Sequence, residues 1–286
     1  MSQAVPGGAR SILARTRGGG ALVLRAAALV ARDRGLRRAV ALPTLLTCLG
    51  CAALAAFLAW VLDQEDTTTL GRLHQFMTAF VALSSMPPTL LTRQWTRVAL
   101  EARRALGLGP GEDSQAGRSY ARALAGEWAK AVRQALVVGL GLSPLLLLLW
   151  VAPDGTWEVL GVAWAFYWVI VDALELPIEV VPGPPPPAPA PWFTRGLARV
   201  GRTTVLVRPA AWAGGLAGRL SRPWAEEIHF TERRPWECLG FGLAAGALLA
   251  IPGLGLLFRA VVITGATAML AGAGEAEEPA APGQAA

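Results

Sequence analysis

Residues 39–62 have the sequence AVALPTLLTCLGCAALAAFLAWVL, which contains no charged side chain. A helix of this length measures about 36 Å, and the hydrocarbon core of a bilayer is about 30 Å thick. Trp60 lies near one end of the stretch, and indole rings favour the interface between membrane and water. The stretch therefore predicts a membrane-spanning helix, and it sets the class of the whole protein.

Further apolar stretches follow at residues 73–91, 135–152, 159–171 and 238–271. In the last of these, Gly242 and Gly246 form a GxxxG pattern, which lets another helix approach closely. Hydrophobic residues make up 53% of the chain and charged residues 16%, whereas soluble domains carry about 25% charged residues. We predict an all-α, polytopic integral membrane protein with four spanning helices, amphipathic interfacial helices and a C-terminal helical hairpin.

The distribution of glycine, proline and charge divides the chain into six predicted regions. They are a flexible N-terminus at 1–20, an N-terminal membrane region with one interfacial helix at 21–181, a Pro-rich linker at 182–191, interfacial or cytoplasmic helices at 192–236, a membrane hairpin at 237–272 and a disordered tail at 273–286.

The net charge of +6 comes almost entirely from arginine, since Lys130 is the only lysine. The arginines lie beside the apolar stretches, whereas the turn after residue 62 carries Asp63, Glu65 and Asp66. Because cytoplasmic loops of membrane proteins are rich in basic residues, we expect both termini in the cytoplasm. The arginine-rich, lysine-poor composition is typical of a GC-rich bacterial genome, so we expect the bacterial inner membrane. This pattern does not favour a nucleic-acid partner.

Motifs for catalysis are absent from the sequence, which contains no Walker A, HExxH or GxSxG pattern. Cys48 and Cys51 form a CxxC, but it lies inside the longest apolar stretch and has no second CxxC to complete a zinc site. The only histidines are His74 and His229. We therefore predict that the protein is not an enzyme and holds no metal and no cofactor.

A candidate anion site lies before the first spanning helix, at Gly35, Leu36, Arg37 and Arg38. We expect Gly35 to break the preceding amphipathic helix, so that the new helix begins with unpaired backbone N–H groups. These groups attract anions, and arginine adds a forked donor suited to an oxyanion. The alternative is that both arginines follow the positive-inside pattern and contact lipid phosphate.

Charged residues also lie within or beside the later apolar stretches. Arg259 follows the Pro252–Gly255 turn of the hairpin. If the hairpin crosses the membrane, Arg259 can extend to the outer surface; if it only half-penetrates, Arg259 lies deep and lines a pore. Asp172, Glu175 and Glu179 share one helical face, which we interpret as the solvated end of a membrane helix.

Two stretches resemble the CysZ sulfate permease family, which is grouped with the etoposide-induced membrane proteins. Residues 35–43, GLRRAVALP, are similar to the entry of that family into its first membrane helix. Gly240-Phe241-Gly242, Ile251-Pro252 and residues 265–269, GATAM, are similar to its C-terminal hairpin. The chain departs from the family at Arg259 and in the Pro-rich insertion 182–235.

The resemblance implies an inner-membrane homo-oligomer that passes sulfate or a similar oxyanion across the membrane. It implies that the anion binds at Gly35, Leu36 and Arg37, with Arg38 adjacent. The alternative function is a non-transporting membrane scaffold or envelope-organising protein, which would use the basic helices to bind anionic lipid.

Overall fold

A computed structural model describes residues 7–61, 76–77, 91–113, 115–148, 156–183, 188–203, 207–249, 251 and 255–277. All regular elements in these residues are helices. In chain order they are α1 (Gly7–Arg32), α2 (Arg34–Val61), α3 (Thr92–Ala105), α4 (Tyr120–Leu148), α5 (Thr156–Glu179), α6 (Trp192–Thr203), α7 (Val207–Leu220), α8 (Ala225–Arg233), α9 (Pro235–Leu249) and α10 (Gly255–Glu277), with a 3-10 helix at Arg222–Trp224 before α8. The all-helical prediction is confirmed for these residues.

Three helices in the described part of the chain are long and apolar enough to cross a membrane. They are Arg34–Val61, Val159–Glu179 within α5 and Gly255–Gly272 within α10. The predicted stretch at 73–91 lies almost wholly outside the described residues, as do residues 149–152 of the third predicted stretch.

Helix α2 makes little contact with the rest of the protein. Only 11% of its most apolar stretch is buried, whereas the corresponding value for α10 is 61%. Large apolar side chains on α2 are exposed, among them Leu49, Phe57 and Trp60. A surface of this kind is costly in water, so α2 needs a covering that the described part of the chain does not supply.

Helix α1 differs from its prediction because it begins at Gly7 rather than near residue 21. One side of it packs along α9 and α10 and brings Val23 and Ala26 into the core, while the other side, with Leu13 and Leu24, is exposed. The contact with α9 depends on glycines. A Cβ added at Gly19 would come within 2.0 Å of the Glu237 carbonyl oxygen, and one at Gly240 within 1.8 Å of the Thr16 carbonyl oxygen.

The C-terminal helices α9 and α10 pack against each other and against α5. A Cβ at Gly242 would meet the Ile170 side chain at 2.5 Å, and one at Gly246 would meet Phe166 at 3.5 Å. The GxxxG prediction of a close helix approach is therefore confirmed, and the approaching helix is α5.

The bounds of two helices differ from the predicted apolar stretches. Helix α4 is continuous from Tyr120 to Leu148, so it begins well before the apolar stretch predicted from residue 135. Helix α5 continues past Val171 to Glu179 and includes Pro177. The acidic residues of this last part face partners on other helices, so they do not end the helix in water.

The close contact between α1 and α9 can be tested by Gly240→Ala. We expect this change to destabilise the protein by about 1–3 kcal/mol, because the added methyl group overpacks a backbone contact. The control is Gly50→Ala, since a Cβ there meets nothing within 4 Å and alanine favours helix. Thermal unfolding of the purified protein in detergent measures both. Equal unfolding temperatures for the two variants would contradict the contact.

Candidate functional site

A cavity of about 200 Å³ lies among α3, α4, α5 and α10. Its lining combines apolar residues with the charged side chains of Glu127, Lys130, Asp172, Glu175 and Arg259. Ionisable groups packed among apolar helices are costly and are usually functional when they occur. The cavity is therefore the candidate functional site.

Lys130 of α4 is the centre of an ion-pair network. Its ammonium group donates to a Glu175 carboxylate oxygen and, at 3.2 Å, to Glu179. The three side chains are mostly buried, with exposures of 17%, 17% and 25%. Since buried charges need compensation by partners, this network fixes the position of α4 against α5.

The second oxygen of Glu175 accepts a hydrogen bond at 3.4 Å from the indole N–H of Trp224. The Trp224 ring is fully buried, and the Lys130 ammonium lies 6.0 Å from its centroid. Trp224 packs edge to face on Trp168, which stands in the same arrangement against Trp164. Residues 222–224 therefore belong to the site, although they were expected in a separate interfacial region.

Asp172 lies one helical turn before Glu175, on the same face of α5. Its Oδ1 accepts a hydrogen bond at 2.7 Å from the Gln134 side-chain amide of α4. The interpretation of Asp172, Glu175 and Glu179 as a solvated helix end is wrong, because these carboxylates have partners inside the protein.

Arg259 enters the cavity from α10, and its guanidinium lies 5.8 Å from the centroid of the Trp95 ring. Trp95 is 1% exposed, so it provides a rigid surface for this cation–π contact. Within the described residues, no carboxylate oxygen lies within 4.0 Å of an Arg259 nitrogen. Arg259 is thus the lining cation that has no ion pair, whereas Lys130 has two.

The predicted anion site at residues 35–38 differs from its expected geometry. The break between α1 and α2 lies at Asp33, and α2 begins before Gly35. The Asp33 carboxylate accepts the Leu36 backbone N–H at 2.7 Å, which is the usual role of a helix N-cap residue. Leu36 is completely buried. The Leu36 N–H is therefore already paired with Asp33, and its side chain is packed in the core, so neither group is free to contact an anion.

Carboxylates also surround Gly35. A Cβ at Gly35 would lie 3.2 Å from Asp33 Oδ1 and 3.6 Å from Glu101 Oε2. Negative charge thus stands beside the expected position of the oxyanion and disfavours an anion there. Arg37 and Arg38 are both exposed, so they remain available for other partners. The structure brings neither of them to the cavity that Arg259 lines.

Glu227 of α8 is 3% exposed, and its Oε2 has no hydrogen-bond partner. Burial raises the pKa of this carboxyl to about 8, although nearby Lys130 lowers it. Sequence reasoning missed this residue because its spacing and neighbours are those of an ordinary solvated helix.

Comparison with protein-family models, characterised proteins and solved structures finds no match to this chain. Any function must therefore be argued from the residues and their arrangement.

The raised pKa of Glu227 predicts how stability depends on pH. The folded protein keeps this carboxyl protonated up to about pH 8, whereas the unfolded chain loses the proton near pH 4.5. Stability should therefore fall as pH rises through this interval. Glutamine does not ionise, so Glu227→Gln lacks this loss of stability at higher pH. The stability of the variant relative to the wild type should therefore increase from pH 5 to pH 8.

Unfolding temperatures measured across this pH range test the prediction, with the exposed Glu112→Gln as a control. A constant difference between Glu227→Gln and the wild type would show that Glu227 is ionised in the folded protein at all these pH values.

Proposed function

We propose that the protein is a polytopic membrane transport protein that passes a small oxyanion, such as sulfate, across the bacterial inner membrane. The bilayer placement is supported by the three helices that are long enough to cross it and by the exposed apolar face of α2. Lipid removes such a face from water without further protein contacts. A second copy of the chain can cover part of it, which supports a homo-oligomer.

The observation that carries the proposal is the unpaired guanidinium of Arg259 in the cavity. Asp172 and Glu175 already accept hydrogen bonds from Gln134, Lys130 and Trp224. Arg259 contacts the Trp95 ring and interacts with the charges of these two carboxylates over more than 4.0 Å, without a direct ion pair. Since the donors of this half-buried guanidinium are not taken by a carboxylate, an anion that enters the cavity gains a charge-assisted interaction. The forked guanidinium matches two oxygens of a tetrahedral oxyanion.

The cavity has a suitable size for a small hydrated ion. Its volume is about 200 Å³, and one water occupies about 30 Å³ in the liquid. An oxyanion therefore fits together with some of its hydration shell. The carboxylates on the same lining oppose an anion, as they do beside Gly35, and here the two cations Lys130 and Arg259 partly offset them. We therefore propose that the ion is held weakly, and transport requires that a bound ion also leaves.

A non-transporting scaffold is the alternative function. A scaffold needs basic surfaces for anionic lipid, and α3 has Arg103 and Arg104 in its last turn. It does not need an unpaired cation in an internal cavity. Stabilisation by an oxyanion therefore distinguishes the two functions, since a ligand that binds the folded state stabilises it by mass action.

The resemblance to sulfate permeases supports the same class of substrate, but the contacts around Gly35 and Leu36 favour a different set of residues. We propose Arg259 as the residue that binds the anion during passage, in place of Gly35 and Leu36. The neighbouring Lys130 is proposed as a positioning residue, since its ion pairs hold α4 at the cavity.

The orientation of the proposed membrane protein places both termini in the cytoplasm. In a variant without native cysteines, a cysteine at Asp154 should react with an impermeant maleimide in intact cells. A cysteine at Arg199 should react only after permeabilisation, because this arginine-rich region is expected inside. Labelling of Arg199→Cys in intact cells would contradict the orientation.

Replacement of the cavity cation tests the transport proposal. Arg259→Gln should lower sulfate uptake into proteoliposomes by about tenfold or more, because a charge-assisted contact worth about 1.5–3 kcal/mol is lost. Arg259→Lys keeps the charge but not the fork, so its uptake should be intermediate. The control Arg122→Gln changes an exposed arginine on α4 that does not line the cavity.

Sulfate should also raise the unfolding temperature of the wild type and of Arg122→Gln, but not that of Arg259→Gln, when compared with chloride at equal ionic strength. Uptake no greater than that of protein-free liposomes, with no stabilisation by sulfate, would favour the scaffold. Equal uptake above this background in all variants would contradict the role of Arg259.

A further inference from the structure

A second concave surface lies along α2 and shares no lining residue with the cavity. This groove has a volume of about 370 Å³ and is formed by one side of α2 from Arg37 to Cys48, with Val30 of α1 and Leu257 of α10. Its lining is apolar except at three positions, which are Arg37, Thr44 and Cys48. The groove is continuous with the exposed apolar face of α2.

Arg37 stands at the end of the groove near the start of α2 and is exposed. Among the residues that the structure describes, it has no ion pair. Arg34 and Arg38 lie beside it on the same turn, and both are exposed. This end of the groove is therefore strongly positive, while its interior is apolar.

Thr44 provides an independent indication of a ligand. Its side chain is only 8% exposed, it lines the groove, and its hydroxyl has no hydrogen-bond partner among the described residues. In Thr47, one turn later, the hydroxyl instead donates to the Pro43 carbonyl oxygen at 2.7 Å. A buried polar group without a partner costs about 1–3 kcal/mol. The Thr44 oxygen is covered in the unoccupied groove, so a polar group of a bound molecule relieves this cost when the side chain rotates toward the groove.

We infer that the groove binds one anionic glycerophospholipid, with its phosphate at Arg37, an ester carbonyl at Thr44 and the start of an acyl chain against Leu45 and Cys48. The rise along α2 from Arg37 to Thr44 is about 10 Å. That length accommodates a phosphate, the glycerol backbone and a hydrogen bond of about 3 Å at each end. The remainder of the acyl chain then continues along the exposed apolar face of α2.

The alternative occupant is a free oxyanion at Arg37, as the sequence had suggested. It is disfavoured because a free ion makes no use of the apolar groove or of the Thr44 hydroxyl. The inference rests on the proposed membrane location but not on transport through the cavity, so Arg259 variants leave it unaffected.

Lipid binding can be measured with dioleoylphosphatidylglycerol as the anionic probe and dioleoylphosphatidylcholine as the zwitterionic one. Native mass spectrometry of the detergent-purified protein should show one retained phosphatidylglycerol per chain. The same lipid should raise the unfolding temperature, and phosphatidylcholine should do so much less. Arg37→Gln should weaken phosphatidylglycerol binding by about tenfold, and Thr44→Val by about fivefold.

The matched control is Arg38→Gln, since Arg38 is an exposed neighbour with the same charge that does not line the groove. Its binding should equal that of the wild type. Ala41→Trp should abolish binding by filling the groove, and Ala41 is exposed, so the core is not disturbed.

Two outcomes overturn the inference. One is equal loss of binding in Arg37→Gln and Arg38→Gln, which indicates a diffuse positive surface. The other is displacement of phosphatidylglycerol by millimolar inorganic phosphate or sulfate, which indicates a site for a free ion. Because these measurements involve no flux, failure of lipid binding and failure of sulfate transport are observed separately.

Discussion

The ion pairs of Lys130 with Glu175 and Glu179 organise the interior of this protein. They join α4 to α5 across a layer that is otherwise apolar, and Trp224 completes them from the 3-10 helix before α8. A charge in such surroundings is tolerated only when its partners hold a defined geometry. The ion pairs of Lys130 therefore fix the register of α4 against α5, while apolar side chains fill the remaining space. The cavity that Arg259 lines lies directly beside these paired groups.

The other half of the fold depends on close backbone contact. Helix α1 carries Gly19 and Gly20 in its middle, which helix propensity disfavours. Gly19 lies where a Cβ would collide with the Glu237 carbonyl of α9, whereas a Cβ at Gly20 would make an ordinary contact with Gly240. Helices α4 and α5 are thus held together by long charged side chains. Helices α1 and α9 are held together by close backbone contact at glycines, which have no side chain. Helix α2 takes part in neither and depends on its surroundings for cover.

Much of the fold is predictable from the sequence, because apolar length and periodicity are local properties. Helix α2 and the approach of a helix to Gly242 are examples. The break at Asp33 was also accessible, since aspartate is a preferred N-cap residue. The paired state of Glu175 was not accessible, because its partner Lys130 lies far away in the chain and a solvated helix end has the same local pattern. The helix at residues 7–20 was missed for a related reason, since tertiary contact overrides the low propensity of its glycines. The cavity around Arg259 requires four helices to be placed at once, which no single stretch specifies.

The ion pairs of Lys130 also determine how the protein responds to chemical modification. Lys130 is the only lysine in the sequence, and its ammonium is held by two carboxylates. Only a neutral amine attacks an acylating reagent. In the folded protein the Lys130 side chain is protonated and shielded by its two carboxylates, so it should react slowly. Apart from the α-amino group, amine-directed cross-linkers and fluorophores then have no target until α4 separates from α5. The rate at which Lys130 is acylated therefore reports how often α4 separates from α5.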